Sequence, residues 1–164
     1  MDKVVLTWSE IIRAASAGVA IQVNCLRRGA KDYSSKPDSI SDAFGMSIVG
    51  QCGEKAVAKM LGLYWNDAME KPRQEDPDLG KNIQVRSILK SHYRCLVKDH
   101  DNDEHIIVCV YPELPVVHIL GCIPVKEAKR PEWRTDLGRG SRGMYAVPQE
   151  HLRPITEYFH RNNE

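Results

Sequence analysis

The stretch that decides the fold reads GQCGEKAVAKMLGL over residues 50–63 and, after a polar connector, PDLGKNIQVR over residues 77–86. Apolar residues recur at helical spacing in the first segment and alternate with polar residues at the end of the second. The first pattern predicts a helix that stops at Gly62, and the second predicts a strand over 83–86. A half-buried helix followed by a strand indicates helices layered against a sheet.

The same alternation of helix and strand patterns extends through the rest of the chain. A capping box at 7–10 predicts a helix from Trp8 to Arg27, and the helix that contains residues 50–61 is predicted to begin near Asp42. Period-2 patterns bounded by turn residues predict further strands at 93–98, 105–111, 116–123 and 144–147, with a short helix over 125–133. We therefore predict an α/β (α+β) fold with a central mixed β-sheet flanked by helices, a flexible loop near 29–41 and a frayed C-terminus.

Length and composition bound the class of protein. A chain of 164 residues is long enough for one domain with a core and short for two, so residues 1–164 are treated as a single domain. The net charge of +1 gives no overall attraction to nucleic acid, so such binding needs a local basic patch. Five cysteines without a C-x-x-C pair favour reduced thiols. Because the sequence also lacks a signal-peptide pattern and a long apolar run, we expect a cytoplasmic protein.

Four polar residues occupy positions that suit a magnesium-dependent phosphodiesterase. Glu54 falls at the flank of the apolar face of the predicted helix, and Asp78 directly follows a proline. Gln84 and Arg86 share the polar face of the predicted strand. Phosphodiester cleavage needs a hard cation that neutralises the scissile phosphate and lowers the pKa of the attacking water, and Mg²⁺ prefers oxygen ligands. The pattern therefore predicts a hydrolytic site between the helix and the strand.

The arrangement Pro-Asp, five residues, then Gln-x-Arg, preceded by a glutamate on a helix, resembles the PD-(D/E)XK nuclease superfamily. The helix pattern Gly-x-x-Gly-Glu-x-Ala-Val-Ala-Lys-x-Leu-Gly is similar to that of small phage-encoded members. The resemblance covers roughly Gly50 to Ile123. It implies a restriction-endonuclease-like sheet and a metal-dependent nuclease, an endo- or exodeoxyribonuclease in a bacterial host or bacterium. The implied partner is nucleic acid, DNA before RNA, with no membrane, and a homodimer stays open.

The resemblance also assigns roles to individual residues. Asp78 would be the central Mg²⁺ ligand, Glu54 a second one, direct or through water, and the carbonyl of Val85 a backbone ligand. Gln84 stands where the family usually has Asp or Glu, and its amide oxygen can still coordinate. Arg86 replaces the family's lysine, and because a guanidinium stays protonated it can hold phosphate but cannot act as a base. With two carboxylates instead of three, we expect weak Mg²⁺ binding that Mn²⁺ improves.

The departures at Gln84 and Arg86 leave a second interpretation open, a catalytically inactive relative that binds nucleic acid or a protein partner. A plain structural account also stays open, in which Glu54 pairs with Lys55 or Lys59, Asp78 is a turn residue, and Gln84 and Arg86 form the solvated face of an edge strand.

A third hypothesis is a cysteine hydrolase, because residues 50–53 (GQCG) resemble the context near the nucleophile of papain-like proteases. However, that nucleophile would follow Gly53, where this chain has Lys55 and Ala56. Because the Cys52 thiol also falls on the apolar face of the helix, a buried and inert side chain is the favoured interpretation.

Candidate nucleic-acid contacts cluster late in the chain. Basic residues there would contact phosphates without reading sequence, although interleaved acidic residues also fit a solvated charged helix. The basic residues are Lys126, Lys129, Arg130, Arg134, Arg139 and Arg142.

Two patterns in residues 99–105 are interpreted without a metal. Asp99, Asp101 and Asp103 alternate as in a calcium loop but lack its glycine and distal glutamate, so they are interpreted as a solvated turn. His100 and His105 lack the cysteine pair of a zinc finger.

Overall fold

The computed structural model describes residues 1–29, 39–67, 76–136, 143–156 and 159. Most of the loop predicted near 29–41 and most of the C-terminal end lie outside the described residues, as do Arg139 and Arg142. Within the described residues the chain forms two long helices, a mixed four-stranded sheet and a second, three-stranded sheet. The predicted α+β class, with a mixed central sheet, is confirmed.

The elements follow one another in an order close to the predicted one. The helices are α1 (Trp8–Arg27), α2 (Ile40–Leu61) and the short α3 (Val125–Ala128), with 3₁₀ turns at Pro131–Trp133 and Gln149–His151. The strands are β1 (Asp2–Val5), β2 (Ile83–Ser87), β3 (Cys95–Lys98), β4 (Ile106–Glu113), β5 (Val116–Pro124), β6 (Arg134–Thr135) and β7 (Met144–Val147).

The predicted signals at the helix ends are confirmed. The Thr7 hydroxyl accepts a hydrogen bond from the backbone N–H of Glu10 at 3.2 Å, and the Glu10 carboxylate accepts one from the N–H of Thr7 at 2.7 Å. This reciprocal pair satisfies two backbone donors that the first turn of a helix leaves without partners. Helix α2 ends at Gly62 with φ 65°, a left-handed conformation that glycine adopts without steric cost.

Helices α1 and α2 lie antiparallel and touch closely. A Cβ at Gly18 would lie 2.7 Å from the backbone of Ile48, so only glycine lets the two helices approach this far. Toward the other end of α2, the Lys59 ammonium lies 2.7 Å from the Glu10 carboxylate and donates to the carbonyl of Val5 at 3.0 Å. These contacts hold the helical pair together and tie it to β1.

The four-stranded sheet has the order β1-β5-β4-β2, with β2 parallel to β4 and the other pairs antiparallel. Ile83 and Val85 of β2 face α2 and belong to a core that includes Ala56 and Val57. The register pairs Gln84 with Ile107 and Arg86 with Cys109, residues that belong to the core on the opposite face. This opposite face is covered by the sheet β3-β7-β6, whereas the sequence predicts helices around a single sheet.

Strand β2 forms one edge of the four-stranded sheet as described. Leu79 pairs with Ile83 in an isolated antiparallel bridge, with backbone hydrogen bonds of 3.1 Å in both directions. The chain that carries Asp78 therefore folds back along the outer edge of β2. In the described part of the chain, we found no helix with the length and apolar character needed to cross a bilayer.

Candidate functional site

The Asp78 carboxylate lies at the outer edge of β2. Its Oδ2 accepts a hydrogen bond of 2.8 Å from the backbone N–H of Val85. The N–H and the carbonyl of one strand residue point to the same side, so the Val85 carbonyl also faces this edge. The tight return at Gly80, where φ is 57°, brings Asp78 back to β2. The structure thus brings Asp78 and the Val85 carbonyl, two of the predicted metal ligands, to the same short edge.

The Gln84 side chain is buried beside this edge and uses both ends of its amide. Its Nε2 donates to the Asp76 carbonyl at 2.8 Å, and its Oε1 accepts from Arg86 Nη1 at 3.3 Å. A buried amide must satisfy both its donor and its acceptor, because an unpartnered one costs about 1–3 kcal/mol. Gln84 therefore links the chain before β2 to the guanidinium on the strand.

The Arg86 guanidinium is the centre of the local hydrogen-bond network. Its Nη2 lies 2.7 Å from the Oδ1 of Asp101, in the connection between β3 and β4. Its Nη1 donates to the Val85 carbonyl and to Gln84 Oε1, both at 3.3 Å. Asp101 also accepts from the backbone N–H of Lys98 at 2.8 Å. Arg86 therefore ties the edge strand of one sheet to the turn that follows a strand of the other.

One polar atom of this network has no hydrogen-bond partner among the residues that the structure describes. This atom is the buried Arg86 Nε. A buried donor without an acceptor is costly, so a ligand oxygen or a water molecule at this position would be stabilised. The planar fork of a guanidinium suits the oxygens of a phosphate.

Glu54 lies on the other side of the edge strand. It follows Gly53 on α2, where a Cβ would come within 2.2 Å of Ser87 Oγ, so glycine lets α2 lie against the end of β2. The Glu54 carboxylate is half-buried and accepts a hydrogen bond from Gln51 Nε2 at 2.9 Å. Glu54 therefore approaches β2 from the helical face, whereas Gln84 and Arg86 lie on the opposite face. The described hydrogen bonds connect Asp78, Gln84, Val85 and Arg86 into one group, and Glu54 belongs to the neighbouring helix.

The donor set has mixed suitability for a hard cation. Carboxylate, carbonyl and amide oxygens at Asp78, Val85 and Gln84 are of the type that Mg²⁺ prefers, and each oxygen has a second lone pair. However, Arg86 Nη1 already lies against two of these oxygens, so a positive charge stands beside the position that a metal would take. No group of three or more His, Cys, Asp or Glu side chains suited to a metal occurs in the described ranges. A metal here would depend on the Asp78 carboxylate together with neutral oxygens.

Two of the basic residues that were predicted to contact nucleic acid form ion pairs within the fold. Lys129 Nζ lies 2.6 Å from Asp103 Oδ1, and Arg134 Nη2 lies 3.1 Å from Asp99 Oδ2. The Arg130 guanidinium lies over the Trp133 ring, 4.6 Å from its centroid, on the exposed surface. Lys126 is also exposed. Of the predicted basic group, these last two therefore keep the most solvent-facing charge among the described residues.

The interpretation of the three alternating aspartates as a solvated turn is wrong for Asp101 and incomplete for the other two. Each aspartate forms an ion pair with a basic side chain from a different part of the chain. The pairs are Asp99 with Arg134, Asp101 with Arg86, and Asp103 with Lys129. The Asp101 carboxylate is nearly covered, because Arg86 lies over it. The sequence carried one signal, the alternation of aspartates at 99, 101 and 103, but it did not identify their partners.

The prediction of a buried Cys52 is confirmed. The side chain is fully covered in the core between α2 and the sheet, and burial raises the pKa of its thiol. A protonated thiol in an apolar core is a poor nucleophile, which removes the basis for a cysteine-protease site here.

Comparison of the chain with protein-family models, with curated proteins and with solved structures gave no match. The functional interpretation therefore depends on the residues of this site and their contacts.

Proposed function

We propose that this protein is a metal-dependent nuclease that hydrolyses phosphodiester bonds, with DNA as the expected substrate. One observation carries the proposal. Asp78, held by the Val85 N–H, lies at an edge of the sheet beside the Val85 carbonyl and the Gln84–Arg86 pair. This edge combines a carboxylate with neutral oxygens and a phosphate-binding guanidinium, as the chemistry requires.

In this proposal, different residues would bind the cation and the phosphate. Asp78 and the Val85 carbonyl would hold Mg²⁺ or Mn²⁺, with the Gln84 amide oxygen as a further ligand. Glu54, which approaches β2 from the helical face, would reach the cation through water. The cation would supply charge neutralisation at the phosphate and a lower pKa for a bound water. Arg86, whose side chain is 21% exposed, would bind a phosphate oxygen and stabilise the charge that develops there. In the hydrolysis, a water oxygen bonds to phosphorus, the bond to the departing sugar oxygen breaks, and that oxygen receives the proton.

A second function is favoured by the contacts of Arg86. This guanidinium satisfies Gln84 Oε1 and the Val85 carbonyl and neutralises Asp101. Such a network is stable without a metal, so the same edge could serve a non-catalytic module that binds nucleic acid or a protein through Arg86. Both functions use the same surface, and they differ in whether a divalent cation binds there.

The experiment compares the wild type with Asp78→Asn and Asp76→Asn. The amide oxygen introduced by Asp78→Asn would still accept from the Val85 N–H, so the substitution removes charge and leaves the hydrogen bond possible. Asp76→Asn is the matched control, because Asp76 precedes the same turn and serves Gln84 through its backbone carbonyl. Cleavage of labelled single-stranded DNA, duplex DNA and RNA is measured with Mg²⁺, with Mn²⁺ and with chelator. Binding of Mn²⁺ alone is measured by electron paramagnetic resonance.

The nuclease proposal expects metal-dependent cleavage that falls at least about 100-fold in Asp78→Asn and is kept in Asp76→Asn. It also expects Mn²⁺ binding that Asp78→Asn weakens. Nucleic-acid binding with neither cleavage nor bound Mn²⁺ would favour the second function. Cleavage that survives in Asp78→Asn would refute the assignment of this edge as the active site.

A further inference from the structure

Helix α1 exposes an apolar stripe beside the face that packs within the fold. Trp8, Ile12, Val19, Val23 and Leu26 form this stripe, with the small Ala15 at its centre, and the five larger side chains are between 39% and 71% exposed. At 100° per residue the six positions fall within an arc of about 80°, so they form one line along the helix. The buried face of α1 adjoins the stripe and consists of Ala14, Ala17, Gly18 and Gln22.

The surroundings of this stripe carry little charge. Between Arg13 and Arg27 the helix has no charged residue in thirteen successive positions. A helix face that stays in water normally carries charged residues, whereas the core of a protein interface is depleted of them. A membrane surface is a poor occupant, because helices that lie on membranes carry lysines and arginines along their polar face.

The area of the stripe fits a dimer. With about 150–250 Å² for a fully exposed large side chain, the five fractions correspond to roughly 500 Å² of apolar surface on each chain. Two copies would bury roughly 1,000 Å² before any polar rim is counted, which is below the about 1,200–2,000 Å² of stable interfaces but reaches the roughly 1,000 Å² that a specific interface needs.

We propose that a second copy of this chain covers the stripe, with the two α1 helices antiparallel about a twofold axis. In that arrangement Trp8 of one copy meets Leu26 of the other, Ile12 meets Val23, and Ala15 meets Val19. The bulky side chains lie at the ends and the smaller ones at the axis, so the same face is complementary to itself, as a twofold interface requires. Opposed helix directions also place the two helix dipoles favourably.

The first test measures mass by sedimentation equilibrium for the wild type, Ile12→Glu, Leu26→Glu and Leu89→Glu. Leu89 is the matched control, because it is 55% exposed outside α1, whereas Leu26 is 52% exposed within the stripe. At about 100 µM we expect the wild type and Leu89→Glu to have twice the 18.6 kDa mass of one chain. Each stripe variant is expected to dissociate at least about tenfold more readily, because the dimer would bury two unpaired carboxylates.

The second test measures orientation without disturbing the stripe. A spin label is attached at Ser9→Cys, an exposed position beside the stripe, in a Cys25→Ser background. In the antiparallel pair, position 9 of one helix faces position 25 of the other. The two labels are therefore separated by about 16 residues, or about 24 Å along the axis at about 1.5 Å per residue. A wild-type mass of one chain, a dimer that neither stripe variant weakens, or labels closer than about 15 Å would each overturn the proposal.

Discussion

The ion pair between Arg86 and Asp101 gives a sharp test of how the edge strand is held. In Arg86→Met the apolar stem remains while the guanidinium is lost, which leaves the Asp101 carboxylate and the Gln84 amide oxygen without that donor. Exposed ion pairs contribute about 0–1 kcal/mol, whereas removal of one partner from a buried pair costs about 3–5 kcal/mol. The two side chains are 21% and 8% exposed, so we expect an intermediate loss of about 2–3 kcal/mol.

The assay is urea unfolding followed by far-ultraviolet circular dichroism, with Asp101→Asn and the double variant completing a thermodynamic cycle. The amide oxygen introduced by Asp101→Asn can still accept from the Lys98 N–H, so this substitution should cost about 1–2 kcal/mol. If the pair is coupled, the double variant should lose about 1–2 kcal/mol less than the sum of the single losses. Additive effects, or an Arg86→Met variant within about 0.5 kcal/mol of the wild type, would refute Arg86 as the tie between the two sheets.

Two further predictions concern the helical layer. Gly18→Ala should destabilise the protein by about 1–3 kcal/mol, because the new methyl group would lie 2.7 Å from the backbone of α2. The control is Gly45→Ala in α2, where a methyl group would have no atom within 4 Å. This substitution should stabilise the protein by up to about 1 kcal/mol, because alanine favours a helix more than glycine does. Equal effects of these two substitutions in thermal unfolding would contradict the close helix contact. Partial burial raises the pKa of Glu10, but hydrogen bonds from Lys59 and Thr7 outweigh it and lower the pKa below its ordinary 4.5. The stabilisation from Glu10 is therefore present above pH 4.5 and is lost as the pH falls through the lowered pKa. Lys59→Met should reduce the free energy of unfolding by about 0.5–1 kcal/mol at neutral pH and by progressively less below pH 4.5. Unfolding experiments at several pH values measure this difference.

The sequence predicted those parts of the fold whose causes are local. Both bounds of α1 and the end of α2 were predicted correctly, because a capping box and a left-handed glycine act within one turn of the chain. Strand β1 was missed, since its four residues are too few to show a period of two. The second sheet was also missed, because β3 pairs with β7, about fifty residues later, and sequence periodicity does not identify a strand's partner.

In the candidate site, too, the sequence predicted the contacts between residues close in the chain but not those between distant segments. Asp78 and Val85 are seven residues apart, and a single turn at the sheet edge was enough to bring them together as the pattern indicated. Arg86 was predicted on the polar face of its strand, but its partner Asp101 lies across the gap between two sheets. The cover that β3 gives to this face decides that contact. A polar residue on a strand therefore indicates which face it occupies, whereas its partner depends on the element packed there.

Gln84 and Arg86 act as one structural unit. Gln84 donates to the Asp76 carbonyl while it accepts from Arg86. A carboxylate at 84 could not donate, and it would turn an oxygen toward the Asp76 carbonyl oxygen instead. The Arg86 guanidinium contacts Asp101, Gln84 and the Val85 carbonyl through two separate nitrogen atoms. A lysine at this position would have a single nitrogen atom for the same three contacts. Because each residue suits the other, a change of either one alone toward the family's usual residue would leave a buried polar atom without its partner.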